Sequence, residues 1–237
     1  MTKPAFDFLG EPPPLDLSGS LDVDEATRIF LDELCSGFGS ILSVQDGLEH
    51  ALRRTYEVVV ALELREQRAM RAPHLSDIVP IRNAAQHSLL SFDIEHAEHG
   101  TGQNLLLCIV RLATLIFSDM VVCPLPATQR VKPRNAHLLR STLEEAHEHR
   151  AMEANAELYL WASMMGSIGA LDSPDQSWYV CLQRRLVTAC GVADWTAMES
   201  VCSKFLWWPR VCDKPGLQVW DLMCHGHFAS HWVSGLS

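Results

Sequence analysis

Apolar residues recur along this chain at three- and four-residue intervals, the spacing that lines up one face of an α-helix. Ile29, Leu31, Leu34 and Phe38 mark a first helix over residues 25–38, capped by Asp22 or Asp24 and broken by Gly37 and Gly39. Leu48, Leu52, Tyr56, Val59, Leu62 and Leu64 carry a long helix over 44–70, with the stretch Glu63–Arg68 read as a solvated face. Ala85, Leu89 and Phe92 place a third helix at 81–92, followed by a polar loop at 93–102. Residues 104–122 are apolar on nearly every side, so this helix is expected to be surrounded by others. Further helices are predicted at 134–150, 154–169, 176–189 and 195–206. A loop with Pro209, Pro215 and Gly216 then precedes a short helix at 217–224.

No stretch alternates long enough for a strand. The pattern therefore predicts an all-α protein, a single compact multi-helix bundle of about nine helices around a central apolar helix. Residues 1–22, rich in proline and glycine, read as a disordered or extended segment. Residues 23–224 read as one helical domain of regulatory type, and 225–237 as a His/Gly/Ser tail.

Charge narrows the function classes. The 237 residues carry 19 Lys+Arg against 29 Asp+Glu, a net charge of −10. Such a field repels phosphate backbones, so direct nucleic-acid binding is not expected. Membrane insertion is not expected either, because Arg111 and Asp119 interrupt the apolar run at 105–122, and a charge near a bilayer centre costs about 2.5–3.5 kcal/mol. The eight cysteines include no C-x-x-C spacing, and most lie in apolar runs. They read as reduced core residues of an intracellular protein, with no secretory leader in residues 1–10.

Candidate chemistry is sparse. Phosphate-loop, dinucleotide, nucleophile-elbow and H-E-x-x-H motifs are absent from the sequence, and no cofactor is called for. Glu144 and His147, with Glu145 and His149, share helix faces at a spacing used by di-iron bundles, but a solvated helix end with i,i+4 pairing is the preferred reading. The same holds for Asp93, His96 and His99 in the loop, and for Cys224, His225, His227 and His231 in the tail. No metal site is assigned. The isolated polar residues Asp119, Arg111, His87 and His137 are the candidates for acid–base work in a helical pocket. Asp119 is expected to pair with Arg111 or with a base on a neighbouring helix. Trp161, Met164 and Trp178 are candidates to line a site for a small apolar metabolite.

Five segments in order, residues 82–92, 111–126, 132–146, 159–183 and 204–223, resemble the fungal-specific transcription factor domain. The similarity rests on two groups: Trp161-Ala162, Gly166, Ile168, Ala170 and Trp178-Tyr179-Val180, then Phe205-Leu206-Trp207, Cys212-Asp213, Gly216 and Trp220. It covers residues 44–224. The resemblance implies a helical fold, a nuclear protein and transcription control, often of a metabolic gene cluster. It carries no catalytic residues.

Members of that family usually begin with six zinc-binding cysteines, whereas residues 1–43 hold only Cys35. The expected function is thus regulator-like. It would act through the transcription machinery, a DNA-binding regulator or a small-molecule effector, with a homodimer compatible. The competing expectation is a biosynthetic enzyme or ligand-binding protein with a cofactor-free pocket, in nucleus or cytoplasm.

Overall fold

The computed structural model describes residues 13–17, 24–39, 46–69, 71–91, 102–121, 131–148 and 155–226. Among the described residues there are nine α-helices and no strand. They are α1 (Glu25–Glu33), α2 (Asp46–Glu66), α3 (Leu75–Ser91), α4 (Gly102–Val121), α5 (Val131–Glu148), α6 (Ala156–Gly169), α7 (Gln176–Ala189), α8 (Trp195–Ser203) and α9 (Pro209–His225). The all-α expectation holds. The sequence pattern points to one hub, but the contacts gather into two compact units, Met1–Asp32 with Leu42–Phe92, and Glu33–Ile41 with Asp93–Ser237.

The first unit is built on α2. Leu48, Leu52, Val58, Val59, Val60 and Leu64 are all buried along it, and α3 packs against it. Leu31 of α1 joins Val60 and Leu64 in a buried cluster flanked by Leu17, Phe30, Tyr56, Ala69 and Ala72. Asp24 caps α1 by accepting the Thr27 N–H at 2.7 Å, a bond that holds its carboxyl below the usual range. Of the expected apolar face, Leu31 is buried but Ile29 is 50% exposed. Arg54 and Glu57 are buried on α2 as an ion pair at 2.9 Å, which satisfies charges that would be costly alone.

In the second unit the hub is α6 rather than the apolar α4. Every residue from Leu158 to Gly169 is buried, and α6 packs on α4, α5, α7, α8 and α9. Its small residues explain this. Ala162, Ser163, Gly166, Ser167 and Gly169 let neighbouring helices approach from all sides. A Cβ on Gly169 would stand 3.2 Å from the Ala136 methyl and 3.3 Å from Ile116. By contrast α4 keeps a less buried stripe of Asn104, Cys108 and Arg111 at helical spacing. Residues Asn104–Val121 are long and apolar enough to cross a membrane, yet 72% of that window is buried inside the chain.

The three largest boundary differences from the sequence pattern have physical causes. The first helix stops at Glu33, where Cys35 turns left-handed at φ 69°, and a short 3-10 turn at Ser36–Phe38 follows. The Cys35 and Gly37 amides then donate to the carbonyls of Phe205 and Lys204, so tertiary contacts take over from the helix ladder. Helix α3 starts at Leu75, six residues before the expected 81, and carries Pro80 inside it. Residues 209–216 of the expected loop are instead the first half of α9, through Pro215 and Gly216. Cys212, Gly216, Val219 and Met223 form its buried stripe, and burying that stripe outweighs the hydrogen bond Pro215 cannot make.

Candidate functional site

The second unit gathers its charged and aromatic side chains where α5 meets the turn before α7. Pro133 lies in the first turn of α5, where its missing N–H leaves no gap in the ladder. About one, two and three turns on, His137, Arg140 and Glu144 share a face. Asp175 immediately precedes α7 but makes no side-chain cap to it, so its carboxylate is available to α5. Being an acceptor only, it receives the His137 Nδ1–H at Oδ2 (2.9 Å) and an Arg140 Nη1–H at Oδ1 (2.8 Å). Arg140 also donates Nε–H to Glu144 at 2.9 Å and lies 5.2 Å over the Trp178 ring. Burial works against the Arg140 charge, but the bonds to Glu144 and Asp175 more than restore it and hold its pKa above the ordinary value.

Behind this surface is a second tie. Trp178 meets Tyr179 edge-on with centroids 5.0 Å apart, and the Tyr179 hydroxyl donates to the Ala136 carbonyl at 2.6 Å. Burial pushes the Tyr179 phenol well above its usual range. The cluster is thus a polar brace whose most open member is His137. The His137 side chain is 66% exposed, against 12% for Asp175 and 23% for Arg140. Asp175 and His137 together form the orienting half of an acid–base pair. An imidazole this open lacks the water exclusion that makes such a pair effective in catalysis.

The sequence candidates are distributed as follows. His137 and Trp178 meet in this cluster. Asp119 is buried on α4, and its neighbours come from α5: the Asn135 amide donates to Oδ2 at 3.5 Å, and burial pushes its pKa up to about 6 against the opposing charge of Lys132. Of the two expected partners, Arg111 or a base on a neighbouring helix, the charge that acts on Asp119 is the second kind, Lys132 of α5. Eight residues of helix set Arg111 about 12 Å further along the axis.

Arg111 lies half-buried on the less buried stripe of α4 beside Cys108. His87 belongs to α3 of the first unit, where the Ser91 hydroxyl donates to its carbonyl. Trp161 and Met164, expected to line a ligand site, are instead buried in packed core. Trp161 stacks on Phe205 at 5.4 Å, meets Phe38 edge-on at 5.3 Å and donates Nε1–H to the Leu206 carbonyl at 3.0 Å. The Met164 thioether receives the Gln183 amide at 3.6 Å.

The described residues include no group of three or more His, Cys, Asp or Glu placed to hold a metal ion. Glu144 is engaged by Arg140, and His147 Nε2 lies 3.4 Å from an Arg185 nitrogen. Asp93, His96, His99, His149, His227 and His231 fall outside the described residues. Burial raises the thiols of Cys35 and Cys212 to about 12 and that of Cys202 well above its usual value; Cys202 and Cys212 are core thiols as expected, whereas Cys35, Cys108, Cys181 and Cys190 are half-buried and Cys224 is exposed.

Sequence reasoning missed Asp175 and Arg140. Their only local signals are a charged residue before α7 and an i,i+4 pair on α5, since the partners lie 35 residues apart. It also missed how the motif residues interlock. Gly166 lies against Tyr179, Trp207 donates Nε1–H to Asp213 at 2.9 Å, and Gly216 lies against the rings of Trp195 and Trp207. Comparison with family models, with curated proteins and with solved structures found no match to this chain.

Proposed function

We propose that this chain is a regulatory protein of the fungal-specific transcription factor kind, acting in the nucleus through protein partners or a small-molecule effector. One observation carries the reading. The residues on which the resemblance rests are neighbours that interlock. Trp161 seats on Phe205 and Leu206, Gly166 on Tyr179, Trp207 on Asp213, and Gly216 on Trp195 and Trp207. These residues specify a scaffold: the Tyr179 hydroxyl and the Asp213 carboxylate among them are taken up in hydrogen bonds to Ala136 and Trp207, and Cys212 is buried, as suits a domain that works by presenting surface. The net charge of −10 supports contact with proteins rather than with nucleic-acid phosphates. The test is to fuse the full chain to an unrelated DNA-binding domain and to follow a reporter. A change of several-fold in expression is expected, and it should be lost with Trp161→Ala. An unchanged reporter, together with an unchanged transcriptome on deletion of the gene, would remove the reading.

A second reading, an enzyme of a biosynthetic pathway, has the His137–Asp175 pair in its favour. It requires His137→Gln to abolish a turnover that the wild-type protein shows with pathway intermediates. Absence of turnover and of any thermal shift would discard it.

A further inference from the structure

We propose that His137 is a phosphoryl-acceptor site: its Nε2 takes one phosphoryl group from an acyl phosphate, and the chain carries that group as a phosphohistidine. A histidine ring has two nitrogens, and the partner of one decides the state of the other. Nδ1 is bonded to Asp175 Oδ2 at 2.9 Å, and a carboxylate only accepts, so the ring proton sits on Nδ1. The lone pair is left on Nε2, which has no hydrogen-bond partner among the described residues. Asp175 is itself held through its other oxygen by Arg140 at 2.8 Å. The orienting half of the pair is therefore fixed, while the imidazole stands open to solvent. That openness is wrong for a site that must exclude water, but an acceptor loaded from outside requires it.

The charge around the ring selects the group. From residue 131 to residue 143 the charged residues of α5 are Lys132, Arg134 and Arg140, with no carboxylate, in a chain of net charge −10. Arg134 and Arg140 lie three residues to either side of His137, so both share its helix face, and Arg134 is exposed. The carboxylates nearby, Asp175 and Glu144, each accept a bond from Arg140. A phosphoryl group on Nε2 thus has a guanidinium about one turn to either side, and guanidinium matches phosphate oxygens in both charge and geometry. An acyl group would gain nothing from these charges, and an acyl-imidazole open to water hydrolyses. A metal ion does not fit, since no group of three ligands among the described residues includes this pair.

In the transfer the Nε2 lone pair attacks phosphorus, the P–O bond to the acyl oxygen breaks, and the carboxylate leaves with that electron pair. The Nδ1 proton stays on the ring, and the positive charge that the ring gains faces Asp175. The step is stoichiometric, so it needs neither a turnover nor a transcriptional output and stands whether or not either of those is found.

The test incubates the full chain with radiolabelled acetyl phosphate and maps the label by digestion at alkaline pH and mass spectrometry. Label at His137 is expected, stable in alkali and lost in acid. It should accumulate about tenfold or more faster than at His74, an exposed histidine of the first unit whose Nδ1 meets the Ser76 hydroxyl rather than a carboxylate. His137→Gln should remove it. Asp175 is a positioning residue: Asp175→Asn should slow labelling about tenfold, and Asp175→Glu should restore part of the rate. Arg134→Ala, which leaves Asp175 and Arg140 in place, should slow it severalfold, and it keeps the test open if Asp175→Asn loses helical signal. No label at His137, equal rates at His137 and His74, or a wild-type rate in Arg134→Ala overturns the proposal.

Discussion

Gly166 lies directly against the ring of Tyr179: a Cβ on Gly166 would stand 2.3 Å from Tyr179 Cε1. The ring is not free to yield, because its hydroxyl is bonded to the Ala136 carbonyl at 2.6 Å. Three helices, α5, α6 and α7, thus meet through one glycine and one tyrosine. Gly166→Ala is expected to destabilise the protein by about 1–3 kcal/mol through overpacking. Urea unfolding checks this, and Gly166→Ala combined with Tyr179→Phe should recover part of the loss by freeing the ring. An unchanged midpoint for Gly166→Ala would contradict the packing described.

The Trp161 indole joins α6 to the segment after α8 by both stacking and a hydrogen bond. Trp161→Phe keeps an aromatic ring but leaves a void and orphans the Leu206 carbonyl. A loss of about 1–3 kcal/mol is expected from these two effects together. Thermal unfolding followed by circular dichroism is the measurement. A ligand-lining role predicts the opposite, an intact melting temperature with altered binding.

Asp119 gives a pH dependence whose sign can be worked out. Burial raises its pKa from 3.8 to about 6, so the folded state holds the proton more tightly than the unfolded state. The ionised carboxylate therefore costs stability above pH 6, and the cost is relieved as pH falls from 6 towards 4. Asp119→Asn removes the cost. It should be more stable than wild type by about 1–3 kcal/mol at pH 7.5, with the difference shrinking at pH 4.5. Denaturant unfolding at the two pH values decides it, and equal or lower stability at pH 7.5 would refute the assignment.

Asp175 and Arg140 should be coupled. Their bond is 2.8 Å, and both side chains are largely screened from water. A cycle of Asp175→Ala, Arg140→Ala and the double variant is expected to return about 1–2 kcal/mol of interaction energy. A value within 0.3 kcal/mol of zero, about the noise of such cycles, would mean the cluster is a surface arrangement with no bracing role.

How much of this was readable in advance depends on the distance over which each feature is fixed. Helix existence is local, and the periodicity of residues 176–189 matches α7 at both ends. Proline and glycine misled the reading of 207–216, because their penalties are local while the burial that outweighs them is not. The candidate site was half visible. His137 and Trp178 stood out as residues, but Asp175, the group that joins them to Arg140, has no marker in its own neighbourhood.

Composition and period settle the all-helical class, the acidic field and the absence of catalytic motifs, since each of these is a sum over residues or a property of one turn. Tertiary packing alone makes α6 the hub, places Trp161 in the core, and decides between the two expected partners of Asp119 in favour of α5. The reason is that these outcomes depend on which small residue faces which large one across helices, and a one-dimensional pattern holds no record of that pairing.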